Sequence, residues 1–279
     1  MFRGGRQLSF GASARIMGVV NVTPDSFSDG GRYLHADVAV AQGLQMVAEG
    51  ADVIDVGGES TRPGSDAVAT DVQLARVIPV IQRLRQRTDT VISIDTTDAE
   101  VADQALRAGA DMVNDVSAFR FDPRMLDVIV AHRVPAIAMH TLAAPKTMQV
   151  DVDYDDDDVV GTVLAHLSAR ADAFVSAGGD RTQLVIDPGI GFGKTVEHNV
   201  RLLRELPRLV ALGFPVLVGT SRKSFLGALT GRPVQQRGPA TAASVAIAVA
   251  RGAHMVRVHD VAEVKDAVAV GDAICYLQP

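Results

Sequence analysis

Polar and glycine-rich clusters recur along this chain, each directly behind a short apolar run. Their residue types suit an anion held beside a flat heterocycle. The clusters are Asn21-Val22-Thr23-Pro24-Asp25-Ser26, Gly57-Gly58-Glu59-Ser60-Thr61-Arg62-Pro63-Gly64, Asp95-Thr96, Asn114-Asp115, His140, Asp187-Pro188-Gly189-Ile190-Gly191-Phe192-Gly193-Lys194, Gly219-Thr220-Ser221-Arg222-Lys223 and His259-Asp260. Arg62, Lys223, Arg257 and His259 supply the cationic donors that hold phosphate groups. Asp95, Asn114 and Asp187, once buried, need hydrogen-bond partners and suit the donor–acceptor edge of a heterocycle. Together they point to a heterocyclic phosphate or diphosphate. Any one cluster alone is more simply a helix cap or a satisfied loop, but capping alone does not explain their recurrence run after run.

Other chemistries fit poorly. Gly193-Lys194-Thr195 resembles the end of a phosphate-binding P-loop, but the position of its first glycine is Pro188. Gly189-Ile190-Gly191-Phe192-Gly193 has its last glycine one residue early for a dinucleotide fingerprint. No His-x-His follows the first run and no His-Glu-x-x-His occurs, which disfavours a zinc hydrolase. Of seven histidines only His140 and His259 follow apolar runs, so His35, His132, His166, His198 and His254 are read as surface or packing residues.

The elements that position these clusters are legible as an alternation. The apolar runs are Ile16–Val20, Val53–Val56, Val91–Ile94, Met112–Val113, Ala136–Met139, Leu184–Ile186, Val216–Val218 and Met255–Val258. Short, continuously apolar runs read as parallel strands buried on both faces. Between them the spacing predicts helices, among them Val38–Glu49, Val72–Arg87, Ala99–Ala108, Pro123–His132, Val159–Ala177 and Ala240–Arg251. Eight such units predict an α/β chain folded as a single-domain (β/α)₈ TIM barrel over residues 1–279, with the clusters converging on the C-terminal face of the strands. Glu49-Gly50-Ala51-Asp52, Ala108-Gly109-Ala110-Asp111 and Arg251-Gly252-Ala253-His254 share one layout, a glycine that can cap a helix just before a strand, although any helix-to-strand connection can look like this. The acidic run Asp151–Asp158 is expected to form a loop and a helix start, where carboxylates suit the dipole.

Composition narrows the class further. At 279 residues and 47% hydrophobic the chain can bury a large core, and its net charge of -6 disfavours a general nucleic-acid binder. A single cysteine, Cys275, cannot form an internal disulfide, and no apolar segment approaches the length of a membrane span or resembles a signal peptide. A cytoplasmic enzyme without nucleic-acid or membrane partners is expected.

At these same residues the sequence resembles the dihydropteroate synthases of folate biosynthesis. The matching stretches begin with Asn21-Val22-Thr23-Pro24-Asp25-Ser26-Phe27-Ser28-Asp29-Gly30-Gly31 and Asp55-Val56-Gly57-Gly58-Glu59-Ser60-Thr61-Arg62-Pro63-Gly64, both long and specific. They continue through Ile94-Asp95-Thr96, Asn114-Asp115, Met139-His140, Pro145-Lys146-Thr147-Met148-Gln149, Asp187-Pro188-Gly189, Gly191-Phe192-Gly193-Lys194, Ser221-Arg222-Lys223-Ser224 and Arg257-Val258-His259-Asp260. The resemblance implies condensation of 6-hydroxymethyl-7,8-dihydropterin diphosphate with p-aminobenzoate, giving 7,8-dihydropteroate and pyrophosphate. It implies that Asp95, Asn114, Asp187 and Lys223 bind the pterin, that Arg257 and His259 hold the diphosphate with help from Arg62, and that Asn21 ligates Mg²⁺. Phe27, Thr61, Pro63, Phe192 and Ser224 then shape the p-aminobenzoate pocket, a sulfonamide target, and the loops about Thr23–Tyr33 and Glu59–Ala67 are the moving ones. A homodimer through the C-terminal barrel helices is also implied.

Pyrophosphate would leave with Mg²⁺ and the cations absorbing its charge, and Asp95 would stabilise the cationic methylene that the amine attacks. One departure falls in the fifth loop, where Ala143-Ala144 replaces a glycine common in the family and puts the loop's conformation in question. A corrinoid-linked pterin methyltransferase would lack the diphosphate clamp and the Thr-Pro-Asp-Ser-Phe loop. A silent pterin-binding paralogue would lack a clamp or pterin residue, and none is missing here.

Overall fold

The apolar runs become strands that hydrogen-bond only to parallel neighbours. In the computed structural model, which describes residues 8–11, 13–23, 32–61, 64–144, 146–149, 152, 154 and 158–276, they are β1 (Arg15–Asn21), β2 (Val53–Gly57), β3 (Val91–Asp95), β4 (Met112–Asp115), β5 (Ala136–Met139), β6 (Leu184–Asp187), β7 (Leu217–Val218) and β8 (Met255–Val258). Their order is β6-β5-β4-β3-β2-β1-β8-β7, and a parallel bridge from Ile186 to Val216 joins the two ends into a barrel. The helices are α1 (Arg32–Glu49), α2 (Thr70–Arg85), α3 (Ala99–Ala108), α4 (Met125–His132), α5 (Val159–Ser176), α6 (Val196–Arg204), α7 (Leu206–Val210), α8 (Ser224–Thr230), α9 (Gly238–Ala250) and α10 (Val261–Tyr276). The expected (β/α)₈ architecture is present.

Side chains alternate between the barrel interior and the helical layer, so residues two apart along a strand lie one above the other inside. Met17, Val53, Val91, Met112, Ile137, Val185, Leu217 and Met255, one from each strand, form a buried apolar cluster, with Leu8 and Phe10 packed against it. Two residues further along the same strands stand Val19, Asp55, Ser93, Asn114, Met139, Asp187, Gly219 and Arg257. An apolar floor therefore carries a largely polar layer on the C-terminal side.

The helix ends follow the sequence signals. Gly50, Gly109 and Gly252 have φ of 110°, 120° and 94°, which bears out the capping layout, and a strand begins three residues after each. Asp98 accepts from the N–H groups of Glu100 and Val101 to start α3, and Asp158 accepts from Gly161 N at 3.0 Å to start α5. Asp151, Asp153 and Asp155–Asp157 lie outside the described residues.

Gly271 on α10 is where the last two helices pack closely. A Cβ there would stand 2.7 Å from Val249 Cβ and 2.8 Å from the Ala246 carbonyl oxygen, so a larger side chain has to push α10 off α9. Gly271→Val should lower the unfolding free energy by about 1–3 kcal/mol in urea titrations; an unchanged midpoint would show that the helices separate without strain.

Candidate functional site

Asn114, Asp187, Phe192, Lys223, Arg257 and His259, all singled out in the sequence, line one cavity of about 440 Å³ together with Val19, Val116, Met139, Gly189, Ile190, Gly219 and Ser221. The polar layer forms its base, and the loops after β4, β6, β7 and β8 form its walls. Asn114-Asp115 divides its labour. Asn114 faces the cavity, whereas Asp115 is fully buried and accepts from Ser117 N at 2.7 Å and Phe119 N at 3.0 Å. Those bonds hold a turn in which Ala118 and Phe119 both take left-handed backbone, with φ of 54° and 66°.

At the base, Arg257 is forked between two carboxylates. Its Nε donates to Asp55 Oδ2 and one terminal nitrogen to Asp95 Oδ2, each at 2.7 Å. Asp55 Oδ2 also accepts from Asn114 Nδ2 at 3.0 Å. Burial raises the Asp95 carboxyl well above the usual carboxylate range, and the guanidinium offsets this only in part. Asp95 Oδ1 is buried without a hydrogen-bond partner among the described residues. Two of the three Arg257 nitrogens are thus committed to carboxylates. Asp55 was not among the expected site residues, although a charged residue inside the buried run Val53–Gly57 was a signal for it.

On the opposite wall Lys223 Nζ sits 4.0 Å from the centroid of the Phe192 ring, and burial lowers this lysine to about 8. Burial likewise raises Asp187 to about 6, against the backbone N–H of Gly189 that donates to it at 2.7 Å. Behind Phe192 lies a pair that sequence spacing could not reveal. The buried Lys194 donates to the Phe192 carbonyl at 2.8 Å and to His140 Nδ1 at 2.9 Å. Lys194 therefore anchors the loop instead of cradling phosphate, and burial followed by Lys194 pushes His140 down to about 2, leaving it neutral. The next residue, Thr195, caps α6.

The remaining expected residues fall in several places. Asn21 ends β1, half-buried, and its side chain makes no hydrogen bond to another described residue. His259 shares a 3.0 Å contact between its Nδ1 and Ser221 Oγ. Thr61 is half-buried, while Ser224 is exposed at the start of α8; neither lines the cavity. Phe27, Arg62 and Pro63 lie outside the described residues, as does most of the first loop. In the fifth loop neither Ala143 nor Ala144 takes a positive φ, and the backbone N–H groups of Thr147 and Met148 both donate to the Ala144 carbonyl. Met148 reaches the apolar group of Val116, Met139 and Phe192, so the alanines are accommodated. The histidines read as packing residues behave so where described: His132 pairs with Asp103, and His198 belongs to the α6 capping box.

Comparison with known proteins points in one direction. Residues 17–259 match the family model described as pterin binding enzyme. A dihydropteroate synthase from a Synechocystis strain is 48% identical, over 95% of this chain and 91% of its own length. One from Haemophilus influenzae is 44% identical over 93% of each. Among solved structures, the Xanthomonas albilineans dihydropteroate synthase with 4-aminobenzoic acid superposes with a TM-score of 0.88 at 48% identity, covering 95% of this chain and 94% of that one. The same enzyme in complex with 7,8-dihydropteroate gives 0.84 at 46%, covering 95% of each. A Yersinia pestis dihydropteroate synthase with a sulfonamide drug complex gives 0.90 at 39%, covering 98% of this chain and 97% of that one.

The Lys194–His140 pair has a direct readout. The His140 ring should remain a neutral imidazole in NMR between pH 5 and 8, because its proton affinity lies far below that window, and any change in its signals there should follow Lys194, which burial lowers to about 7. Lys194→Met strips a donor from two buried acceptors and should cost about 1–3 kcal/mol of stability in urea unfolding. A wild-type His140 that titrates near pH 6.5 would contradict the pairing.

Proposed function

The chain belongs to the dihydropteroate synthase family of pterin-binding enzymes, and we propose that the cavity at its strand ends carries out that family's condensation. The substrates are 6-hydroxymethyl-7,8-dihydropterin diphosphate and p-aminobenzoate; the products are 7,8-dihydropteroate and pyrophosphate. One observation supports this reading above the others: acceptors (Asn114, Asp187) and cations (Lys223, Arg257, His259) line a single cavity with room for a bicyclic ring and the groups attached to it. Asp187 accepts from the amino-bearing edge of the ring, and Lys223 donates to its carbonyl side while stacking on Phe192. The C–O bond to the diphosphate breaks with its electron pair leaving on pyrophosphate, beside His259 and the remaining Arg257 nitrogen. Asp95, next to Arg257, stabilises the positive methylene. The amine nitrogen then bonds to that carbon and releases its proton. Phe192 forms the wall against which p-aminobenzoate, or a competing sulfonamide, lies.

Magnesium fits as a cation carried by the diphosphate. Among the described residues no group of three or more His, Cys, Asp or Glu is placed to cage a metal, whereas Asn21 offers one uncommitted amide oxygen at the C-terminal end of β1. A hard cation that keeps phosphate and water ligands suits such a site, and when bound it draws charge from the leaving phosphates. A homodimer is supported by Ile247 on α9 and by Val270 and Ile274 on α10, which are 51%, 55% and 68% exposed on neighbouring helices. No helix among the described residues is long and apolar enough to cross a membrane, and we place the reaction in the cytoplasm, where the exposed Cys275 stays reduced.

The test is an assay for pyrophosphate and dihydropteroate with both substrates and Mg²⁺, which excess chelator should stop. Asp95→Asn should lower kcat on the order of 10²-fold while changing binding of a pterin lacking the diphosphate much less. Asp187→Asn should weaken that binding by about 1–3 kcal/mol. In the wild type, pterin affinity should fall as pH drops through about 6, because the unliganded Asp187 takes up a proton there and stops accepting; Asp187→Asn should remove that part of the acid limb and leave only what Asp95, raised to about 7, contributes. Asp95→Asn that removed pterin binding but left turnover at saturation intact would refute the division of roles. Ile274→Asp should shift the sedimentation coefficient to that of a monomer, and a wild-type monomer would dispose of the dimer.

A further inference from the structure

We propose that Asp55, to which the resemblance assigns no task, is a positioning residue that fixes the polarity of Asn114 and so makes the cavity select the amino-bearing edge of its ring. This rests on the pterin reading above. Asp55 is fully buried, two residues above the floor residue Val53 on β2, and its Oδ2 accepts from Asn114 Nδ2 at 3.0 Å and from Arg257 Nε at 2.7 Å. A side-chain amide can donate through nitrogen or accept through oxygen, and either end can face a ligand. Against a carboxylate oxygen that already accepts from a guanidinium, only the nitrogen of Asn114 can turn inward. Its carbonyl oxygen is then the atom on the far side of the amide, where Asn114 lines the cavity.

The consequence is a base that accepts. The Asn114 carbonyl and the Asp187 carboxylate both face donors, which a pterin supplies through its 2-amino group and ring N–H. A ring with a carbonyl in place of that amino group sets oxygen against oxygen, an unpaired arrangement that polar sites reject strongly. Asp187 enforces this preference by its own chemistry; Asn114 does so only while Asp55 holds it. The same Asp55 oxygen, with Asp95, fixes the Arg257 guanidinium at two points.

Calorimetric dissociation constants for 6-hydroxymethylpterin and for 6-hydroxymethyl-lumazine, its 2-carbonyl counterpart, give the readout. The wild type should bind the pterin more tightly. Asp55→Asn keeps the shape but offers both a donor and an acceptor, so Asn114 can invert; the preference should shrink about tenfold, with a remainder from Asp187. Weaker binding of both ligands with an unchanged ratio means Asp55 only supports the fold, and overturns the proposal. Asp55→Ser, whose hydroxyl also donates or accepts, repeats the test if the asparagine variant does not fold. Without any variant, the Asn114 side-chain NH₂ should resist hydrogen exchange in the unliganded wild type, and fast exchange would overturn the clamp. A wild type that binds neither ring refutes the pterin reading itself, whereas one that prefers the pterin while its Asp55 variants keep the full preference refutes only the role of Asp55.

Discussion

A guanidinium forked between two buried carboxylates is the interaction on which the site depends. Away from water, an uncompensated charge is far more costly than a paired one, and removing one partner of such a pair typically destabilises by about 3–5 kcal/mol. Arg257 meets both Asp55 and Asp95 at 2.7 Å, so the three hold one another in place above the apolar floor. Lys223 and Lys194 add positive charge opposite Asp187, and burial lowers both lysines as it raises the carboxyl. The site is a compact balance of charges sealed from below and open only at the mouth.

That balance leaves hydrogen-bonding capacity in reserve. Asp55 Oδ1, Ser93 Oγ and Asp95 Oδ1 are buried without partners among the described residues. Unsatisfied polar atoms are uncommon in folded proteins and concentrate where function requires them. Here they belong to adjacent strands, β2 and β3, around the forked arginine, so the layer is set before a ligand arrives and is short of donors.

The eight runs became eight strands because apolar residues dominate each, even where one polar residue such as Asp55, Ser93 or Arg257 interrupts it, and β2, β3 and β6 gained only a glycine or a polar residue at the C-terminal end, as in Val91–Asp95 and Leu184–Asp187. The glycine layouts at Gly50, Gly109 and Gly252 proved to be real left-handed ends because no other residue takes that backbone without strain. Asn114, Asp187, Lys223 and His259 were readable since each comes behind an apolar run, and Arg257 because its charge stands out within the last run, which places all five towards one face of a barrel. Asp55 and Lys194 were not. The partners of the first, Asn114 and Arg257, come from other strands, and the second acts on His140, 54 positions away in sequence, so only the closed barrel brings donor and acceptor together. Asp115 illustrates the converse: it ends a strand as Asp187 does, yet its carboxylate is used up by its own loop.

The fork has a consequence for how the chain is made. Arg257 lies 202 positions after Asp55 and 162 after Asp95, on the last strand to leave the ribosome. Until β8 inserts between β1 and β7, those carboxylates lack their counterion, and the barrel has an open seam on either side. Contacts of such long range form late, and parallel sheets that depend on them stay exposed while they wait. An emerging chain can therefore gather floor residues and helices early, yet neutralise its own centre only after synthesis is nearly complete. A chain cut short before Met255 would keep two acids without the guanidinium that bridges them.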